Sequence, residues 1–417
     1  METEDGDGSD RSESDSGEPF GITFEDDDGD GSSHRLVDSL YEFDFSRDAT
    51  LVKNAVKVFV SSVVKDNFLK GCKWSPDGSC LLTNSEDKVL RVFNLPNEFY
   101  SQPLEPCLQE EMNPTLSMKE SELIYDYCWY PKMTSLEPTT CFFLTTSRNN
   151  PIHMWDAYTG KIAASFCPYN HLDEVVSAYS LAFSPDGTKI YAGFKKSVKI
   201  FDTALPGRIF EERLTYANKS GQHGIISSIA VNPRKSSVYA LGSYTKQIGL
   251  YEEPNGDPIC ILLGQKGGIT QLMFSPDGTK LFSGGRRDSE ILCWDMRNLS
   301  TILYSMKRVV ETHQRVYFDI TPDGRYLVTG SDDGMLFIYD LKEHSPIGGI
   351  KQPSKSFKAF VDNANGASWH PTLPLIATSS GQRSWPDLAG SDDEDHHFTK
   401  TLSHGLNSLS LWWLEMK

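Results

Sequence analysis

The 417 residues carry 57 acidic against 40 basic side chains, a net charge of −17. No apolar run approaches the roughly 18 residues that span a bilayer and no signal-peptide pattern opens the chain, so a membrane or secreted protein is not expected. The eight cysteines (Cys72, Cys80, Cys107, Cys128, Cys141, Cys167, Cys260 and Cys293) contain no Cys-x-x-Cys pair, which argues against zinc and for reduced core thiols of an intracellular protein.

The charge is uneven. Residues 1–50 hold 17 Asp and Glu against Arg11, Arg35 and Arg47, a net of −14 that leaves only −3 for residues 51–417. Residues 1–50 are therefore expected to form a disordered acidic arm. Two apolar clusters interrupt it, Phe20–Phe24 and Leu40–Phe45. Such an arm is either simply solvated or carries a short motif that docks on a partner.

Residues 51–417 read as one seven-fold repeat. The turn is written Ser-Pro-Asp-Gly at residues 75–78, 184–187 and 275–278 and Thr-Pro-Asp-Gly at 321–324, with looser copies at Pro131, Pro233 and Pro371. Pro presets φ, Asp bonds nearby N–H groups and Gly accepts positive φ, so each string makes a compact reversal between strands. A third strand then closes on an aromatic residue: Phe93, Trp155, Phe201, Tyr251, Trp294, Tyr339 and the pair Trp412-Trp413. Turn-to-turn spacings of 43 to 55 residues suit four-stranded blades. The expected fold is all-β, a seven-bladed WD-repeat β-propeller. The β-prone run Ala55–Val64 is expected to supply the outer strand of the seventh blade and so close the ring.

No phosphate loop, His-Glu-x-x-His or nucleophile elbow occurs, and no residues line up as nucleophile, base and orienter, so no catalytic residue, metal or cofactor is expected. His396 and His397, beside Asp392, Asp393 and Asp395, read as part of a solvated loop. His153 reads as structural.

What the repeat offers instead is a surface. Loops between second and third strands, and those leading into inner strands, share one face. They carry Arg148, Lys195, Lys196, Tyr244, Lys246, Arg286, Arg287, Arg315 and Arg383, with Phe194 among them. Asp87, Asp288 and Asp332 at similar positions are expected to brace their own turns. Arg offers bidentate bonds to phosphate, and aromatic and guanidinium planes stack exposed bases, which suits a small RNA loop. A basic face could equally read acidic or phosphorylated peptides. The insertion at residues 384–404 is either inert or an acidic flap over this face.

Several strings are more specific than the generic repeat: residues 67–78, 124–130, 150–156, 169–174, 264–270, 314–319 and 370–383. Together they resemble the telomerase Cajal body protein family of nuclear WD-repeat proteins. The resemblance implies an RNA-binding scaffold that recognises the localisation box of H/ACA-type small Cajal body RNAs, and of telomerase RNA where it carries the box. It further implies a place in the nucleus at Cajal bodies and support of telomerase trafficking. The partners implied are H/ACA proteins including dyskerin, telomerase reverse transcriptase, coilin, and the cytosolic chaperonin for folding. A monomer is expected.

Overall fold

The computed structural model describes residues 42–60, 67–100, 111–299, 301–382 and 407–417. They build seven blade sheets, antiparallel except where Gly349–Lys351 adds a parallel fifth strand to the fifth blade, and a separate two-stranded hairpin of Tyr216–Ala217 and Ser220–Gly221. The blades' inner strands are Leu69–Trp74, Ile124–Trp129, Ser180–Phe183, Ile226–Val231, Ile269–Phe274, Phe318–Ile320 and Ala364–Trp369. The third strands end at Asn94, Asp156, Asp202, Glu252, Asp295, Asp340 and Trp413, so the fold is the expected seven-bladed propeller.

The Asp of each Ser-Pro-Asp-Gly turn behaves as its chemistry requires. Asp77 accepts from Ser75 Oγ and from the Ser79 N–H at 2.7 and 3.0 Å, while Gly78 sits at φ +74°. Asp186, Asp277 and Asp323 repeat the arrangement. Donors from Ser184 and Thr188 hold the Asp186 carboxyl below its ordinary pKa.

Packing lies between blades. Each junction holds one apolar cluster, such as Trp74, Leu81 and Phe93 against Leu375, Ala377 and Leu409 where the last blade meets the first. Inner-strand side chains add polar bridges to the next blade around the channel. Lys73 Nζ donates to the Tyr127 carbonyl at 2.6 Å, Asp126 accepts from the Leu181 N–H at 3.1 Å, and Ser180 Oγ donates to the Ile226 carbonyl at 2.9 Å. Ser228 accepts from the Leu272 N–H, Gln271 donates to the Phe318 carbonyl, Asp319 accepts from the Trp369 N–H, and Ser368 accepts from the Trp74 N–H.

The ring closes with an N-terminal strand, but earlier than the sequence suggests. Thr50–Ala55 pairs antiparallel with Leu409–Trp413, Ala55 opposite Leu409. Beyond it Lys57–Phe59 is a 3-10 turn that buries Phe59 against Phe93, and residues 61–66 lie outside the described ones. A run of valines measures compatibility with a half-buried pleat, not register. Burial of Val52 and Ala55 in the last-to-first cluster sets the register.

The propeller also begins before residue 51. Phe43 is 2 % exposed, stacked on Trp369 with centroids 5.4 Å apart and packed on Tyr326. The Asp44 N–H donates to the Glu415 carbonyl and the Lys417 N–H to the Glu42 carbonyl. The Phe43-to-Phe45 part of the second apolar cluster is therefore a strap on the chain's own last blades. The Phe20–Phe24 cluster lies outside the described residues.

Candidate nucleic-acid interface

In five blades the backbone itself fixes one face. The residue after the second strand donates to the residue preceding the inner strand: Glu86 to Phe68, Arg148 to Leu123, Tyr244 to Ile225, Arg286 to Gly268 and Gly381 to Asn363. In the third blade, Lys195 forms a bridge with Ile225 of the fourth. These turns are braced from beneath. In the fifth blade, Trp294 Nε1 donates to Ser283 Oγ, Ser283 to Gln265 Oε1, and Gln265 Nε2 to Asp288 at 2.9 Å. Asp288 also accepts from the Lys266 and Gly267 N–H groups. Asp87 holds Arg91 and Asn67, and Asp332 holds Thr312 and Asn363. In the second blade Trp155, Thr145 and His153 converge on buried Glu120, with His153 Nδ1 at 3.0 Å. Burial opposes ionisation there, but the bonds from His153 and Thr145 hold the Glu120 pKa below its ordinary value. The three aspartates and His153 thus brace their turns, as expected.

On this frame Arg148, Lys195, Lys196, Lys246 and Arg287 are exposed, and Tyr244 and Arg286 are half-buried. The Arg286 guanidinium lies over the Tyr244 ring, 3.4 Å from its centroid, a cation–π contact. Lys196 Nζ sits 4.7 Å from the Tyr216 centroid. Two aromatics missing from the sequence reading join them. Tyr125 and Tyr179, both half-buried, stack with centroids 5.4 Å apart, and Arg148 and Tyr244 are close enough to bias Tyr125 electrostatically. Their signal was available, since both lie at the start of or just before an inner strand.

Backbone strain marks the same turns. Lys88, Lys196, Lys246 and Arg287 hold φ of +66°, +65°, +69° and +45°, and Asn149 holds +57°, whereas Gly334 takes φ +76° in the sixth blade's turn. A side chain at left-handed φ costs on the order of 1 kcal/mol, and such strain gathers at functional positions. Lys88, also absent from the sequence reading, is partly engaged by Glu122 at 3.3 Å.

Two expectations change. Arg315 is not a loop cation: it reaches across the channel to Asp126 at 3.1 Å, Tyr317 Oη at 3.0 Å and the Ser227 carbonyl at 3.0 Å. Burial would lower its pKa, but Tyr317 and Asp126 outweigh this and raise it. Phe194 is 6 % exposed, inside the cluster between the second and third blades, because strand alternation turns it inward. Arg383 and the 384–404 insertion, with His396 and His397, lie outside the described residues. Among those described, no helix is long and apolar enough to cross a membrane, and no cluster of three His, Cys, Asp or Glu could hold a metal.

Fold and face together define a WD-repeat propeller scaffold, and the WD domain, G-beta repeat family matches residues 56–94, 164–202, 256–295 and 305–340. The chain is 46% identical to telomerase Cajal body protein 1 of Mus musculus over 382 residues, 90% of this chain and 71% of that protein. Against the Homo sapiens protein it is 46% identical, covering 94% and 72% respectively, and against the Drosophila melanogaster homolog 38% identical, covering 82% and 62%. The chain belongs to the telomerase Cajal body protein 1 family.

Proposed function

We propose that the strained, cation-bearing face binds single-stranded loops of H/ACA-type small Cajal body RNAs through their localisation box. By the same contacts it would bind telomerase RNA where that RNA carries the box, and direct these particles to Cajal bodies in the nucleus. The observation that carries this reading is the convergence of exposed Lys195, Lys196, Lys246 and Arg287 with the Arg286–Tyr244 and Tyr125–Tyr179 stacks on one rim. Cations at left-handed turn positions project charge toward phosphates, and the stacked planes offer π-faces to unpaired bases. The names of the relatives support the Cajal body and telomerase half of the reading. Dyskerin, telomerase reverse transcriptase and coilin would then meet the protein within the particle, and the protein's role would be binding rather than catalysis.

Crosslinking the full chain to nuclear RNA should recover H/ACA-type loop RNAs above a propeller without the cationic rim. Recovery at the level of that control, with enrichment of acidic or phosphorylated peptides instead, would replace this reading by a protein scaffold. Changing Arg286, Arg287 and Arg383 together to Glu should lower loop-RNA affinity by two orders of magnitude or more, at about 1 kcal/mol or more per arginine. The unfolding midpoint should fall only modestly, because the exposed charge of Arg287 contributes little stability and the loss of the Arg286–Tyr244 stack costs about 1 kcal/mol.

A further inference from the structure

The segment between the fifth and sixth blades, Arg308–Val316, is among the most tightly pinned on the cationic rim. Arg308, 2 % exposed, donates to the Val316 carbonyl at 2.8 Å and to Thr329 Oγ1 at 2.9 Å, tying the two ends of the segment together. The Val309 N–H donates to Ser331 Oγ, the Val310 N–H to Ser289 Oγ, and the Glu311 and Thr312 N–H groups to Asp332. The Thr312 carbonyl accepts from the Arg287 N–H at 3.1 Å. Arg315 is locked into the channel, within electrostatic reach of Tyr244.

Two residues of this frame are not fully satisfied: Arg308 bonds only through Nη1, leaving its Nε and Nη2 unpartnered, and Gln314 leaves its whole amide so. Both the amide nitrogen and the amide oxygen of Gln314 are shielded from solvent and have no hydrogen-bond partner. Leaving a donor and an acceptor buried and unpaired is costly, and such groups in native structures call for an explanation. The chain carrying Gln314 is tied to that of Arg286 through the Arg287 N–H to Thr312 carbonyl bond, and the buried Nε of Arg286, over the Tyr244 ring, is unpartnered as well. A glutamine amide offers one donor and one acceptor side by side, the pattern that pairs two-point with the edge of adenine.

Taking the rim to be an RNA-loop surface, we propose that Gln314 is its base-reading residue: its amide turns outward to pair with the edge of an unpaired adenine stacked on the Arg286–Tyr244 plane. The unpaired amide lowers the barrier to this turn, because no bond is broken when it leaves its shielded position. The surrounding cations hold phosphates and are indifferent to sequence. Discrimination between bases then rests on Gln314, and overall affinity on the lysines and arginines.

The test uses the full chain and single-stranded octamers of A, C and U, followed by fluorescence anisotropy, with thermal unfolding run in parallel. The wild type should prefer the A octamer by roughly five- to a hundred-fold, the range for one two-point base contact. Gln314→Met, which keeps the length and removes the orphaned polar atoms, should bind all three octamers with one common affinity and melt no lower than wild type. Gln314→Glu, an acceptor only, should shift the preference toward C. An A preference unchanged in both variants would overturn the role of Gln314 while leaving the RNA surface standing. Failure of the wild type to bind any octamer would overturn both.

Discussion

Arg286 follows a second strand and Arg315 precedes an inner strand on the same side of the propeller, and the structure gives them opposite work. Arg286 follows the second strand of its blade and lies over the Tyr244 ring with its Nε unpaired. Arg315 points into the channel and donates to Asp126, Tyr317 and Ser227, tying the sixth blade to the second and fourth. The rim keeps its cations unspent, at left-handed turns and in stacks, while the channel uses its cations up. A rim cation should therefore matter to binding and little to stability, and a channel cation should do the reverse.

The most severe way to break that contrast is Arg315→Ala, which leaves Asp126, only 8 % exposed at its side chain, with Lys73 at 3.8 Å as its remaining cation and the Leu181 N–H as a donor. Loss of one partner of a buried pair costs up to about 3–5 kcal/mol when the other is left uncompensated, and with Lys73 remaining the loss in chemical unfolding should be about 2–3 kcal/mol. If the variant unfolds like wild type but loses RNA affinity, Arg315 belongs to the rim after all.

The inner wall makes a second, pH-dependent prediction. Burial pushes Asp319 from 3.8 up to about 6 against the bonds it accepts from Trp369, Ile320 and Ser368. His370 is pushed from 6.5 down to about 4 by burial, against the pull of the Gly78 carbonyl and Asp77. Its Nε2–H donates to that carbonyl while Nδ1 accepts from the Thr372 and Leu373 N–H groups, which requires the neutral ring. Folded Asp319 binds a proton more readily than unfolded, so its contribution falls as pH rises from about 4 to 6. Folded His370 binds one less readily, so its contribution rises across nearly the same window. In the wild type the two slopes largely offset. Asp319→Asn should expose the histidine slope alone, with stability measured by urea midpoints dropping steadily from pH 6.5 to 4. A flat profile in the variant would mean that His370 is not held neutral.

The smallest effect sharpens the contrast from the rim side. Replacing Lys196 and Lys246 by Gly relieves left-handed φ and should raise stability by about 1 kcal/mol per site, while weakening RNA binding and shallowing its salt dependence. Stability lost with each glycine would show that the lysine stems pack, and that the turns are structural rather than functional.

Much of this was legible in the chain. The Pro-Asp-Gly turns and aromatic strand ends specify seven blades because both are local chemistry, a turn geometry and a side chain that fits a pleat. Asp87, Asp288 and Asp332 could be assigned to bracing for the same reason. The closing strand was misplaced because Ala55–Val64 and Thr50–Ala55 are both β-prone, and only the inward packing of Val52 and Ala55 selects between them. Phe43 read as part of an acidic arm because its partners, Trp369 and Tyr326, are some 300 residues distant in sequence. Tyr125 and Tyr179 become a stack only when two blades come side by side.

By itself, then, the sequence determined the number of blades, the chemistry of their turns and the presence of many cations in the loops of one face, all properties of short stretches. Only the tertiary structure decided which cations are free. Arg315 and Arg286 look alike in the chain, and what separates them is whether a carboxylate and a carbonyl from other blades stand within 3.1 Å. It likewise took the folded ring to leave the Gln314 amide shielded and alone, since an unmet hydrogen bond is a property of surroundings and no single segment of chain supplies them.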